Sequence, residues 1–530
     1  MRAICYHFSV MDEKTLRELL GHKLVFGISG TAATEEEMAL FTHARARGLI
    51  LYRRNCASPE QIRTLISSLE KRLGYRLLVC IDHEGGRVVM PLGGTTPFPD
   101  NYAWNKAGAT AEIVERQGRL EAEELRALGI DLNFSPVADV ATDTYNPGIL
   151  SRSYGTDPKF CADMVAARIR GLQAGGISAT AKHYPGKGHA TVDAHLKLPV
   201  INSTLWEMEN THLLPFLAAI KAGADCIMSS HPLYRNIDSS GPATFSKKLI
   251  SGLLRDKYGF KGVTVSDALE MGAVTEVAPV EEAIIKAEEA GHDLLLVCTP
   301  GPAQLKACDA LFTHYASGSG DKMRLQNSAT RIRHLLAKRT QRFGPAPANP
   351  RAAPALAETI ARSSARILQR GRVSPPLSIK QLQAAGNLVI VPRYADIAAT
   401  VMIEPGMEDM ESFVRGLLGL GKARPPFLHL PINPAPEDIK NLKKRLAGKK
   451  LVLLVLWDAG LSAGWAKALE MTQEMAQTPV VILTRDFYDA RFLKPQTCAA
   501  TAYGFRQYQT EATLRLLFQG AHISHRPLGS

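Results

Sequence analysis

The sequence predicts an α/β protein in which a closed (β/α)8 barrel, TIM-like in its strand count, is followed by a smaller α/β sandwich domain. Three observations carry this. Between about residues 22 and 300, eight short β-branched apolar runs alternate with amphipathic helical stretches. Polar residues gather at the C-terminal ends of those runs, and a proline- and alanine-rich stretch then precedes a second alternation. Strands alternating with helices form parallel sheets, and an eight-stranded barrel places its site where the strand C-termini and their loops converge. A doubly wound open sheet is the competing arrangement, because periodicity alone does not show closure.

In chain order the runs are LVFGIS (24–29), GLILY (48–52), LLVCID (77–82), DLNFSPVADV (131–140), SATAKHY (178–184), DCIMSSH (225–231), GVTVSD (262–267) and DLLLVC (293–298). They are apolar on consecutive residues, as strands buried on both faces are. The stretches AEIVERQGRLEAEELRALG (111–129) and DMVAARIRGLQAGG (163–176) have the helical period instead, with Gly just past each end. The strand ends carry Asp82 and Glu84, Asp139, Lys182 and His183, His231, and Asp267. Residues 1–342 therefore read as the barrel, 343–357 (FGPAPANPRAAPALA) as a semi-rigid linker and 358–530 as the second domain. In the last of these, LVIVP (388–392), FLHLPI (427–432), LVLLVLW (451–457) and VVILT (480–484) read as parallel strands.

The chain has 530 residues, 45% hydrophobic and 22% charged, enough for more than one core and without a disordered signature. A net charge of +12 attracts polyanions, but no Lys/Arg block and no zinc-finger spacing accompanies it, so nucleic acid is not an expected partner. The eight cysteines lack CxxC spacing, and Cys80, Cys226 and Cys298 lie in apolar strands. They read as buried free thiols in a reducing compartment, neither disulfides nor metal ligands. The N-terminal residues hold no sustained apolar segment, so neither a signal peptide nor a membrane span is expected, and a cytoplasmic location is. Met11 offers an alternative start to Met1. Composition gives no oligomeric state.

Four segments carry the chemistry: IDHEGGRV (81–88), NPGILSRSYGTDP (146–158), KHYPGKGHATVDAHLKLP (182–199) and VSDALEMGAV (265–274). Singly, a Gly-rich turn, a lone His or a strand-end Asp has a structural explanation. Together, in order and spacing, they resemble family-3 glycoside hydrolases of the β-N-acetylglucosaminidase branch, which acts in peptidoglycan recycling. The specific part is the KH-x-PG-x-G-x-x-x-x-D-x-H string. The likeness is close over roughly residues 20 to 300 and loose beyond, through TAYGFRQYQTEATLRLLFQG (501–520).

That resemblance implies retaining hydrolysis of terminal β-linked N-acetylglucosamine, with no metal and no cofactor. It makes Asp267 the nucleophile, His195 the acid/base and Asp193 its orienting partner, and it assigns sugar binding to Asp82, Arg152, Lys182 and His183. The chemistry fits those residue types. A retaining glycosidase needs an ionised carboxylate to form a glycosyl-enzyme, and an imidazole can give a proton to the leaving oxygen and later take one from water. The chain departs from the branch at Met90, usually Arg, at Lys187, usually His, and at Ala194, commonly Ser. These departures bear on contacts with the sugar or its aglycone. Phosphorolysis of the same bond, a broader β-glucosidase, and a sugar-binding protein without turnover are the alternatives.

Overall fold

A computed structural model of the chain describes residues 12–520 apart from 92, 143–145, 147, 191–196, 339–340, 398–402 and 422–423. Each of the eight apolar runs contains a strand: β1 (Leu24–Gly27), β2 (Gly48–Leu51), β3 (Leu78–Ile81), β4 (Leu132–Asn133), β5 (Ser178–Tyr184), β6 (Cys226–Ser229), β7 (Val263–Val265) and β8 (Leu295–Val297). All pair in parallel in the order β8-β1-β2-β3-β4-β5-β6-β7. A bridge from Val265 to Leu294, with Ser266 N–H donating to the Leu294 carbonyl at 2.9 Å, returns β7 to the approach of β8. The open-sheet alternative is thereby set aside.

Alternation explains why the runs looked continuous. Val25, Ile50, Leu78, Cys80, Val263 and Leu296 point into the barrel, while their neighbours Phe26, Leu49, Val79 and Leu295 pack under the helices. Both faces are dry, so successive residues are apolar in both directions. The fourth run is the exception. Only Leu132–Asn133 of DLNFSPVADV form a strand, because Pro136 has no N–H to give a ladder; a single bridge between Val137 and Lys182 resumes the pairing.

The two helices expected from the sequence are α1 (Ala111–Leu128) and α2 (Pro158–Ala174), and α1 ends at Gly129 with φ 89°. The seven described cysteines are free and buried, and Cys5 lies outside the described residues. No described helix is long and apolar enough to cross a membrane.

The second sheet contains β9 (Arg366–Gln369), β10 (Leu388–Pro392), β11 (Phe427–Leu430), β12 (Leu451–Leu456), β13 (Thr478–Leu483) and β14 (Cys498–Thr501), in the order β9-β14-β13-β12-β10-β11. Every pairing is parallel except β9 with β14. Four of the six were expected. RILQ and CAAT were not, since the first is a half-exposed edge with charge and the second is rich in alanine, which is depleted in strands.

Residues 352–357, read as linker, instead begin α3 (Ala352–Ser364). Alanine is the best helix former, and Pro354 falls in the first turn, where no N–H is needed. Ala353, Leu356 and Ala357 of α3 join the barrel's core, while Ala361 packs with Ala512 and Leu516 of α4 (Gln507–Gln519).

Candidate active site

A cavity of about 540 Å³ opens at the C-terminal ends of the barrel strands. Asp82, Arg152, Lys182, His183 and Asp267 all line it, together with Glu84 and Lys187. Asp193 and His195 lie outside the described residues.

The loop after β3 is fixed from beneath. Asn133 of β4 donates to the His83 carbonyl at 2.8 Å and accepts the His83 N–H at 3.0 Å, which sets the flanking Asp82 and Glu84 side chains. Glu84 then becomes the hub. Its two oxygens accept Arg152 Nε at 2.8 Å and Nη2 at 2.7 Å, a bidentate pair, and Lys182 Nζ approaches Oε1 at 2.7 Å. Lys182 also donates to Asp82 Oδ1 at 2.5 Å. Burial pushes the Glu84 carboxyl up, but Arg152 and Lys182 outweigh it and bring it down to about 2. Burial opposes the charge on Lys182, and Asp82 and Glu84 overcome that and hold its ammonium protonated.

His183 turns Nδ1 to Asp139 Oδ2 at 2.7 Å, so Nδ1 carries the proton toward the carboxylate. Asp139 also accepts the Lys187 N–H at 2.7 Å, and burial leaves its carboxyl up at about 6 despite Lys187. Gly188, in the same loop, passes so close to the Val140 carbonyl that a Cβ would collide with it.

Asp267 lies two residues past the end of β7, and its Oδ1 accepts the Ala268 N–H at 2.9 Å. Burial alone would raise this carboxyl, but His231, Lys187, the Ala268 N–H and Lys182 outweigh it and keep it below the usual carboxylate range. The cavity therefore holds an ionised carboxylate facing a ring of fixed donors and acceptors. A pocket of this size suits a small ligand. Such a set can hydrogen-bond sugar hydroxyls through Asp82, Lys182 and His183, and can present a nucleophilic carboxylate oxygen.

Sequence reasoning noticed Glu84 but gave it no binding role. Its signal was the DHEGG string, yet its partner Arg152 is far along the chain, and only the fold reveals that one carboxylate organises two cations. Met90 lines the cavity and is tied to His83, whose Nδ1 lies 2.6 Å from the Met90 carbonyl. Lys187 also lines it. Both departures thus fall on the site itself.

Loop residues of the second domain brace the loop after β3. Arg506 is wholly buried, donates from Nε to the Gly86 carbonyl at 2.5 Å and pairs with Glu404 at 3.1 Å. Gly86 has φ 54°, and a Cβ there would enter the Asp100 carboxyl. Arg87 donates to the Arg485 carbonyl at 3.1 Å and to Ser151 Oγ at 2.9 Å, and the Tyr102 ring packs tilted against Phe487 with centroids 4.2 Å apart. Among the described residues the cavity lining comes from the barrel alone.

The model of the glycosyl hydrolase family 3 N-terminal domain matches residues 12–335. A protein named β-hexosaminidase from Stenotrophomonas maltophilia (strain K279a) is 35% identical over 283 residues, spanning 52% of this chain and 83% of that protein. Another of that name, from Neisseria meningitidis serogroup C, is 38% identical over 278 residues, spanning 51% of this chain and 76% of its own. Among solved structures, a glycoside hydrolase family 3 β-N-acetylglucosaminidase from Paenibacillus sp. str. FPU-7 superposes with a TM-score of 0.84 at 28% identity, covering 96% of this chain and 97% of that one.

Proposed function

The chain belongs to glycosyl hydrolase family 3 and is a glycoside hydrolase, and from that premise we propose that it removes terminal β-linked N-acetylglucosamine with retention of configuration. The substrates are small glycosides such as peptidoglycan fragments, and the reaction takes place in the cytoplasm. Asp267 attacks the anomeric carbon and forms a glycosyl-enzyme. His195, oriented by Asp193, protonates the leaving oxygen and then takes a proton from the water that releases the sugar. Asp82, Arg152, Lys182 and His183 hold the sugar, with Arg152 acting largely through Glu84.

The observation that carries this reading is the ionised Asp267 at the mouth of β7, in one cavity with the Asp82–Lys182–Glu84–Arg152 network. The names of the β-hexosaminidase relatives and the β-N-acetylglucosaminidase structure support the sugar. For Asp193 and His195 the support is their place in the KH-x-PG-x-G-x-x-x-x-D-x-H string.

Turnover of a nitrophenyl N-acetyl-β-glucosaminide tests it. The rate constant kcat/KM should exceed that on the matching glucoside by at least about tenfold, since a site built around an acetamido group leaves polar partners unpaired without it. Phosphate added to the assay should leave free N-acetylglucosamine as the product. Equal rates on the two sugars would favour a broader β-glucosidase, and a sugar phosphate would favour phosphorolysis.

A further inference from the structure

The seam of the barrel, where β8 meets β1, is flanked by two helices: Glu35–Ala44, which follows β1, and Pro302–Ala316, which follows β8. Three metal-ligating side chains meet between them. His43 comes from the first helix, and Cys308 and Asp309 come from the second. His43 Nε2 lies 2.7 Å from Asp309 Oδ1, and the Cys308 sulfur completes a group whose three ligand atoms all lie within 4.8 Å of one another. Among the described residues it is the one group of three such side chains at that spacing.

The spacing fits a tetrahedral zinc ion. Zinc holds sulfur at about 2.3 Å and nitrogen or carboxylate oxygen at about 2.0–2.2 Å, which sets ligand atoms about 3.3–3.7 Å apart. His43 and Asp309 therefore need to part by less than about 1 Å to admit the ion, and their side chains, 42% and 51% exposed, have room to rotate. A thiolate, an imidazole and a carboxylate together suit zinc, whereas magnesium and calcium take oxygen ligands. Water takes the fourth position from the exposed side, since Cys308 is buried on the other.

Access and charge agree. His43 also lines a cavity of about 620 Å³ between the same two helices, so the site opens to solvent. It stands in the last turn of its helix, where unpaired carbonyls favour a cation. The charge of Arg17 reaches Cys308, but that guanidinium is already engaged, with Nε 2.9 Å from Glu13 and the group 3.8 Å over the Phe312 ring. An ion pair between His43 and Asp309 alone would be exposed and worth little, and it would leave the Cys308 thiol beside it without a use.

We propose that His43, Cys308 and Asp309 bind one zinc ion, which clasps the first and last β/α units of the barrel together across its seam. Cys308 binds as the thiolate and gives its proton to solvent, so it departs from the reading of the cysteines as thiols that hold no metal. None of the three residues lines the catalytic cavity. The ion therefore acts on stability and leaves turnover alone, and the proposal stands apart from the choice of sugar and nucleophile.

The test strips the full chain with a chelator and titrates it with cobalt(II) and, separately, with zinc(II). Wild type should bind one ion, show thiolate-to-cobalt charge-transfer absorption, and melt at a higher temperature with one equivalent of zinc than without. Hydrolysis of a nitrophenyl N-acetyl-β-glucosaminide should be the same in both states. His43→Ala and Asp309→Ala, both at exposed positions, should each weaken zinc binding by at least about tenfold, and Cys308→Ser should lose the absorption. A wild type that binds no zinc, or binds cobalt without that absorption, overturns the proposal. So does an ion held with unchanged affinity in His43→Ala and Asp309→Ala, which sits elsewhere; inhibition of turnover would place it in the catalytic cavity. If Cys308→Ser does not fold, the two surface variants decide the matter.

Discussion

Glu84→Gln isolates the group that organises the site. The side chain keeps its size and one acceptor oxygen but loses the charge that meets Arg152 at 2.7 and 2.8 Å and Lys182 at 2.7 Å. The carboxyl sits at about 2 in the folded chain against an ordinary 4.5. That depression corresponds to about 3 kcal/mol of stability. An independent route gives the same size, since stripping one partner from a buried ion pair costs about 3–5 kcal/mol. The sign follows from the depressed value. The stabilisation is complete above pH 4.5 and disappears as the pH falls toward 2, because protonation in the folded state then breaks the same contacts. Urea unfolding of wild type and Glu84→Gln at pH 7 should differ by about 3 kcal/mol, and the gap should narrow steadily below pH 4.5. KM should rise as Lys182 and Arg152 lose their shared anchor. A difference under about 1 kcal/mol at pH 7, or a gap independent of pH between 7 and 3, would refute the hub.

Two further outcomes are expected. Arg506→Met leaves Glu404 buried without its cation, so unfolding should become easier by about 3–5 kcal/mol, and slackening of the Gly86 loop should lower kcat/KM although Arg506 lies outside the cavity; unchanged kinetics in a folded variant would deny the second domain this role. His195→Ala should slow disaccharides severely yet spare the first step on nitrophenyl substrates, giving a burst of phenol and then slow turnover. Equal slowing of good and poor leaving groups without a burst would move the acid/base elsewhere.

Much of this architecture is written locally. The eight barrel strands are visible because each is apolar on both faces, and the site because its polar residues sit at the ends of those runs. What the sequence conceals is pairing across long separations. Nothing near Arg152 announces Glu84, and nothing near Gly86 announces Arg506. The short β9 and β14 lack the apolar density that marks the others. The reading of 343–357 as linker gave proline too much weight, since Pro354 in a first turn starts a helix.

The most direct measurement is covalent trapping. A fluorinated N-acetylglucosamine-type inactivator should label the enzyme in one-to-one proportion, and peptide mapping should find the sugar esterified to Asp267 within the segment VSDALEMGAV. A label on any other carboxylate, Glu84 or Glu270 included, or turnover with inverted configuration and no label at all, would contradict the central claim.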